Sequence, residues 1–230
     1  MRGQLEAYFD AAFTAPDGIK RLRELILTLA VQGKLTDQRD SDEPASELLK
    51  KIAAEKKKLE KEGKIKKQKP LPPVADDEKP YALPKGWEWV RLNELCRLIT
   101  DGAHHTPIYA EEGIPFISVK NISSGVLSFD HCRFISTHEH TTLIKRCNPE
   151  IGDVLFTKIG TTGIAVEITT DIPFSIFVSV ALLKILNKHL SPSIAVRLRV
   201  KKKVQNLNAM WYKEFAKNFA TQGDFGHESP

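Results

Sequence analysis

From residue 83 to residue 184, short apolar runs rich in Val, Ile and Phe alternate with Gly, Pro, Asn and Asp. No other feature of the chain restricts the fold as much. The runs are too short for stable helices, and the residues that bound them favour turns, so they read as strands. The candidates are residues 114–119, 126–129, 133–136, 154–159, 163–168 and 174–185. Trp87, Trp89 and Val90 alternate as in a further strand with one buried tryptophan face. Residues 92–99 and 137–145 suit short helices. Many short strands with few helices predict an α+β fold in which the strands form a twisted or barrel-like sheet.

Upstream of residue 83 the pattern is helical. Ile19, Leu22, Ile26, Leu29 and Ala30 recur at spacings of three and four, with Leu25 widening the stripe. This predicts a helix over 19–32, capped by Asp17 and closed by Gly33. A weaker stripe, Leu5, Tyr8, Phe9 and Phe13, precedes it. Pro44 starts a second helix, in which Ala45, Leu48, Ile52 and Leu59 approach a heptad, and which ends near Gly63. An amphipathic helix outside a compact sheet must bury its apolar face, which makes Leu22, Ile26, Leu29, Leu48 and Ile52 candidate partner contacts. Lysine dominates residues 50–69, as in a solvated helix face and linker. Pro70, Pro72, Pro73 and Pro80, with Asp76, Asp77 and Glu78, make an extended and poorly packed connector. The chain thus divides into a helical segment at 1–69, a proline-rich linker at 70–82, a strand-rich domain at 83–190 and an atypical basic tail at 191–230.

Over 230 residues, 41% hydrophobic and 27% charged residues support a packed core and exclude wholesale disorder. Lysine and arginine number 34 against 29 acidic residues, a net charge of +5 that is compatible with a polyanion partner. Cys96, Cys132 and Cys147 are widely spaced. With no secretory signal and no long apolar span, they fit reduced thiols in a cytoplasmic protein with no membrane segment.

Leu83-Pro84-x-Gly86-Trp87-x-Trp89, then Leu92-x-Glu94-Leu95 and Asp101-Gly102-x-His104-x-Thr106-Pro107, follow one another in the strand-rich region. This order resembles the opening of a target recognition domain in the DNA-specificity (S) subunits of type I restriction-modification systems. Gly113-Ile114-Pro115-Phe116-Ile117, Asn121-Ile122, Gly152-Asp153-Val154-Leu155 and Gly160-x-x-Gly163 continue the match in register. Upstream, Leu22-Arg23-x-x-Ile26-Leu27 and Asp42-Glu43-Pro44-Ala45 are similar to the helical segment of that family. The resemblance implies a non-catalytic subunit without a cofactor, of a kind that carries two recognition domains, each reading half of a bipartite site in double-stranded DNA. It further implies methyltransferase (M) subunits held by the helices and restriction (R) subunits that use ATP; pairing through the helices with a second S-type chain stays open as an alternative. A full S subunit continues past residue 190 with a spacer helix and a second recognition domain. Here Arg197, Arg199, Lys201, Lys202 and Lys203 crowd together instead, and residues 223–230 form a polar end. A native short ending and a truncation or frame change both stay open. So does an S-like remnant that serves as an interaction module without specific DNA binding.

Reading DNA takes cations and backbone donors for phosphates, and polar side chains for base edges. The candidates sit where strands give way to loops. They are His104, His105 and Thr106 after Gly102; Lys120 and Asn121 after the 114–119 run; Lys145 and Arg146; and Lys158, Thr161 and Thr162 around Gly160 and Gly163. The alternative for each is an ordinary turn or surface residue, so the expectation rests on the loops as a group. No metal site is expected, because the histidines and cysteines lack paired spacing and His138-Glu139-His140 lacks the His-Glu-x-x-His interval. Gly160-Thr161-Thr162-Gly163 is too short for a phosphate-binding loop. Asp153 with Lys158 imitates part of a nuclease site, but the Gly152-Asp153-Val154-Leu155 turn explains it better. No catalytic residue is assigned.

Overall fold

The computed structural model describes residues 13–67 and 70–199. Leu5, Tyr8, Phe9, the lysines at 201–203 and the polar end at 223–230 lie outside the described residues. Helices α1 (Gly18–Val31) and α2 (Ala45–Lys61) form where the apolar spacing placed them. Gly33 closes α1 at φ +66°, and a Cβ there would stand 2.6 Å from Pro84 Cγ. Asp17 does not cap α1: its own backbone is left-handed at φ 58°, and its side chain makes no cap bond. Pro44 precedes α2, whose first N–H, on Ala45, is satisfied by the Gly86 carbonyl at 2.8 Å. Helix α2 lies against a short helix α3 (Leu92–Leu95), and Lys56 Nζ donates to the Asn93 carbonyl at 2.6 Å.

The connector is tied down, contrary to the loose packing its composition suggests. Arg91, nearly buried, donates to the carbonyls of Pro72 and Pro73, each at 3.0 Å, and forks onto both carboxylate oxygens of Glu78. The Tyr81 hydroxyl donates to the Val31 carbonyl at 3.0 Å. Proline lacks a donor but keeps its carbonyl, and a planar guanidinium five donors wide can collect several such acceptors.

The strands are β1 (Cys96–Asp101), β2 (Tyr109–Ala110), β3 (Ile114–Ile117), β4 (Arg133–Ile135), β5 (Val154–Thr157), β6 (Ala165–Glu167), β7 (Ser175–Ile176) and β8 (Val180–Ile185), with helices α4 (Thr137–Leu143) and α5 (Ser191–Arg199). The fold is α+β. Its strands form two four-stranded sheets and not a closed barrel: an antiparallel sheet in the order β1-β8-β5-β6, and a mixed sheet in the order β2-β4-β3-β7 with β3 and β7 parallel. All six residues of β8 are buried, so it is the central strand of the core.

Several elements differ from the sequence expectation. Residues 174–185 break at 177–179 into β7 and β8, which serve different sheets and so couple them. The 92–99 helix is only α3, after which the chain extends into β1. Residues 126–129 form no strand, because Leu127 and Phe129 pack into the core from a loop, Phe129 edge-on to Phe174 at 5.8 Å. Residues 87–90 form none either. Trp89 packs against Tyr81, with ring centroids 5.0 Å apart and planes tilted by 60°, and lies beneath the Arg197 guanidinium, while Trp87 Nε1 donates to Gln38 Oε1 at 2.8 Å. Side-chain packing, not a ladder, explains their spacing. Helix α5 packs Ala195, Ile194 and Leu198 onto the core, and Arg199 Nη2 donates to the Gly125 carbonyl at 2.7 Å. The packed body therefore continues past residue 190.

A buried ion pair joins β8 to the turn before β5. Lys184 Nζ, on β8, meets Asp153 Oδ2 at 2.6 Å, the Asn148 carbonyl at 2.7 Å and Glu150 Oε2 at 3.1 Å. Burial pushes the Asp153 carboxyl up, and the Lys184 ammonium works against that rise.

Two stability outcomes follow. A Cβ on Gly102 would fall 1.9 Å from the Ile176 carbonyl oxygen, so Gly102→Ala should cost at least about 3 kcal/mol in denaturant unfolding or abolish folding. Lys184→Met should cost about 3 kcal/mol by stranding Asp153, and the Asp153→Asn/Lys184→Met double variant should cost less than the sum of the singles. Additive costs would mean that the pair is not coupled.

Candidate functional site

β1 ends on Asp101, whose side chain is 1% exposed. An isolated carboxylate there would be too costly to keep ionised. Three donors surround this one. Arg146 Nη1 lies 3.0 Å from Oδ1, His104 Nε2 lies 3.0 Å from both oxygens, and Lys158 Nζ is hydrogen-bonded to Oδ2. Arg146 also donates through Nη2 to the Gly102 carbonyl at 2.5 Å. Burial opposes the charge on Asp101, but the bonds from Lys158, His104 and Arg146 outweigh it and hold the carboxyl below its usual range. The three donors differ in reach: the Lys158 side chain is 16% exposed, Arg146 41% and His104 56%. Two full cations against one carboxylate leave a positive charge here even with His104 neutral.

Each donor arrives on a different element. His104 follows the Gly102 crossing, Arg146 follows α4, and Lys158 is the residue after β5. Helix α4 starts from Ser136, whose Oγ accepts from the Glu139 N–H at 3.1 Å, a local cap visible in the sequence as Ser-x-x-Glu. The loop after β5 closes on Thr157, which takes the Gly163 N–H on its carbonyl and the Ile164 N–H on Oγ1.

Ser179 links this cluster to a second one. Its carbonyl accepts from the Lys158 N–H at 3.0 Å, and its Oγ accepts from the Val119 N–H at 3.3 Å. A Cβ on Gly160 would stand 3.5 Å from Val119 Cγ1, so the 158–163 loop abuts the turn Val119–Asn121. Lys120, Thr161 and Thr162 are exposed on these adjacent loops, and Thr106 and Lys145 are exposed beside His104 and Arg146. His105 Nε2 sits 2.8 Å from Glu139 Oε1. Asn121 is nearly buried, and its Oδ1 accepts from the Ser118 N–H at 3.1 Å and hydroxyl at 3.3 Å, which ties that side chain to its own turn. The structure thus brings His104, Arg146 and Lys158 onto one carboxylate and draws the Lys120 turn beside them.

Sequence reasoning left Asp101 and Ser179 out. Asp101 had a signal, since a carboxylate ends an apolar run immediately before a glycine. Ser179 had none, because its role depends on two loops remote in sequence.

Among the helix positions, Leu22, Leu29 and Leu48 are half-buried and Ile26 is exposed, as are Ile19 and Leu25. Ile52 is 3% exposed, so α2 buries it within this chain and it is not available to a partner. The three cysteines are free thiols, and burial pushes Cys96 and Cys147 up to about 12, which leaves them poor nucleophiles. Among the described residues, no three His, Cys, Asp or Glu side chains gather to hold a metal ion, and no helix is long and apolar enough to cross a membrane.

No protein-family model matches the chain. Two curated relatives from Escherichia coli do. The type I restriction enzyme EcoAI specificity subunit is 47% identical over 126 residues, covering 55% of this chain and 21% of the relative. The type I restriction enzyme EcoEI specificity subunit is 42% identical over 161 residues, covering 68% of this chain and 27% of the relative. The chain spans about a quarter of the length of these relatives. At such identity over more than half of its residues, the chain is a homologue of the specificity subunits of type I restriction enzymes.

Proposed function

We propose that this chain is a sequence-reading subunit of a type I restriction-modification complex, with residues 83–190 as its target recognition domain. The observation that carries this is the convergence of His104, Arg146 and Lys158 on buried Asp101, beside the exposed Lys120, Thr161 and Thr162 loops. Fixed cations with neighbouring hydroxyls are what a surface needs to register on phosphates and reach base edges. The subunit is non-catalytic, needs no cofactor, and directs methylation and cleavage by M and R subunits in the cytoplasm. Residues 1–69 are the partner segment and 70–82 the connector. The exposed Ile19, Leu25 and Ile26 on α1 support a helix partner there, on an M subunit or a second S-type chain.

Selection from a random-site duplex pool, with and without the M subunit, should enrich one defined sequence. Lys120→Ala and Lys145→Ala should each weaken binding across all sequences and lower the salt slope by about one if they contact phosphates. An unenriched pool in both conditions, with the M subunit still co-purifying, would sink DNA reading and favour an interaction module.

A further inference from the structure

The geometry points to Asp101 as a positioning residue: it sits behind the surface and fixes Arg146 as the outward-facing donor, with Lys158 serving as an internal strut. The inference rests on the DNA-reading role proposed above and divides the two cations paired with Asp101, Arg146 and Lys158, by task. Lys158 has most of its side chain covered and its ammonium on Asp101, so its charge is committed inward. Arg146 is held through both of its Nη groups, and Nη1 also reaches Thr100 Oγ1 at 3.5 Å. Nη1 is on Asp101 Oδ1 and Nη2 is on the Gly102 carbonyl, while 41% of the side chain faces solvent. A guanidinium held at two points keeps its plane, and a fixed plane is what bidentate recognition of a base edge or phosphate requires. The anchor itself is rigid, because Asp101 is paired with Ala181 on β8 and Gly102 is wedged against Ile176.

Positioning and mere charge neutralisation predict opposite results. If Asp101 only lowered the local charge, removing it would strengthen binding to every duplex and leave sequence preference alone. If it positions Arg146, preference falls while non-specific attraction does not. The test uses the full chain with its M subunit, wild type, Asp101→Asn and Arg146→Lys, against the selected duplex and a scrambled duplex. Asp101→Asn should lower the selected-to-scrambled affinity ratio by about tenfold while scrambled binding rises about threefold. Arg146→Lys lies on the surface and keeps the charge, so it covers the case in which Asp101→Asn fails to fold. It lacks the planar fork and should lose about the same preference.

A second readout needs no DNA. In the wild type, Arg146 should give separate Nη signals by nitrogen-15 NMR, identified by their loss in Arg146→Lys, and these should average in Asp101→Asn. Averaged Nη signals in the wild type, or an undiminished affinity ratio in either folded variant, would overturn the assignment. Resolved Nη signals in a chain that enriches no sequence would instead overturn the DNA-reading role on which it rests.

Discussion

The strand-rich body depends on burying one ammonium group in its central strand. β8 is buried along its whole length, so Lys184, only 7% exposed, finds its acceptors inside. The 148–153 turn supplies three of them in Asn148, Glu150 and Asp153. Arg97 of β1 meets Glu150 at 2.7 Å, so the same turn is held from a second strand. β5 begins immediately after Asp153, and its pairing with β8 runs from Val154 opposite Leu183 to Thr157 opposite Val180. On the other side of β8, β1 pairs Asp101 with Ala181. The strands flanking β8 therefore bring Asp101 and Lys158 to the same level, and their ion pair closes around the end of that strand. The register that buries one charge pair builds the other.

The sequence disclosed what depends on local pattern. Both amphipathic helices, the α+β class and most strands follow from apolar spacing and from glycines whose left-handed conformation the turns require. Gly33 is one such case, legible as a helix stop. What was not legible depends on contacts between distant segments. Trp87 and Trp89 read as a strand because their spacing fits one, yet an indole satisfied by Gln38 or packed against Tyr81 needs no ladder. Arg91 collects the proline carbonyls of the connector, and no periodicity announces that. Residues 191–199 looked foreign by composition, but Ala195 is in the core and Arg197 covers two aromatic rings.

The candidate site divides in the same way. The loops carrying His104, Lys120, Arg146 and Lys158 were identifiable because polar residues follow strands or sit between glycines. Which of those residues faces solvent was not identifiable, since that depends on a carboxylate supplied by another strand. Asn121 and Lys158 have the same kind of sequence context as Lys120, yet one bonds its own turn and the other bonds Asp101. A motif names the loop; the buried acceptor decides the side chain.

Charge on this chain also falls into two populations with different physical consequences. The lysines of α2 are mostly exposed, and those that pair do so at the surface, Lys50 with Glu47 and Lys51 with Glu43. Such exposed pairs are weak and are screened by salt, so these lysines carry positive charge without fixed geometry. Arg146 and Lys158 pair instead with a carboxylate that water does not reach. That arrangement sacrifices half of the cluster's positive charge and gains a fixed guanidinium plane. For a polyanion any cation serves; for one sequence among many, the donor must already point the right way when the duplex arrives. The cost of Asp101 in net attraction is thus best understood as a requirement of selectivity, on the proposed reading of the site.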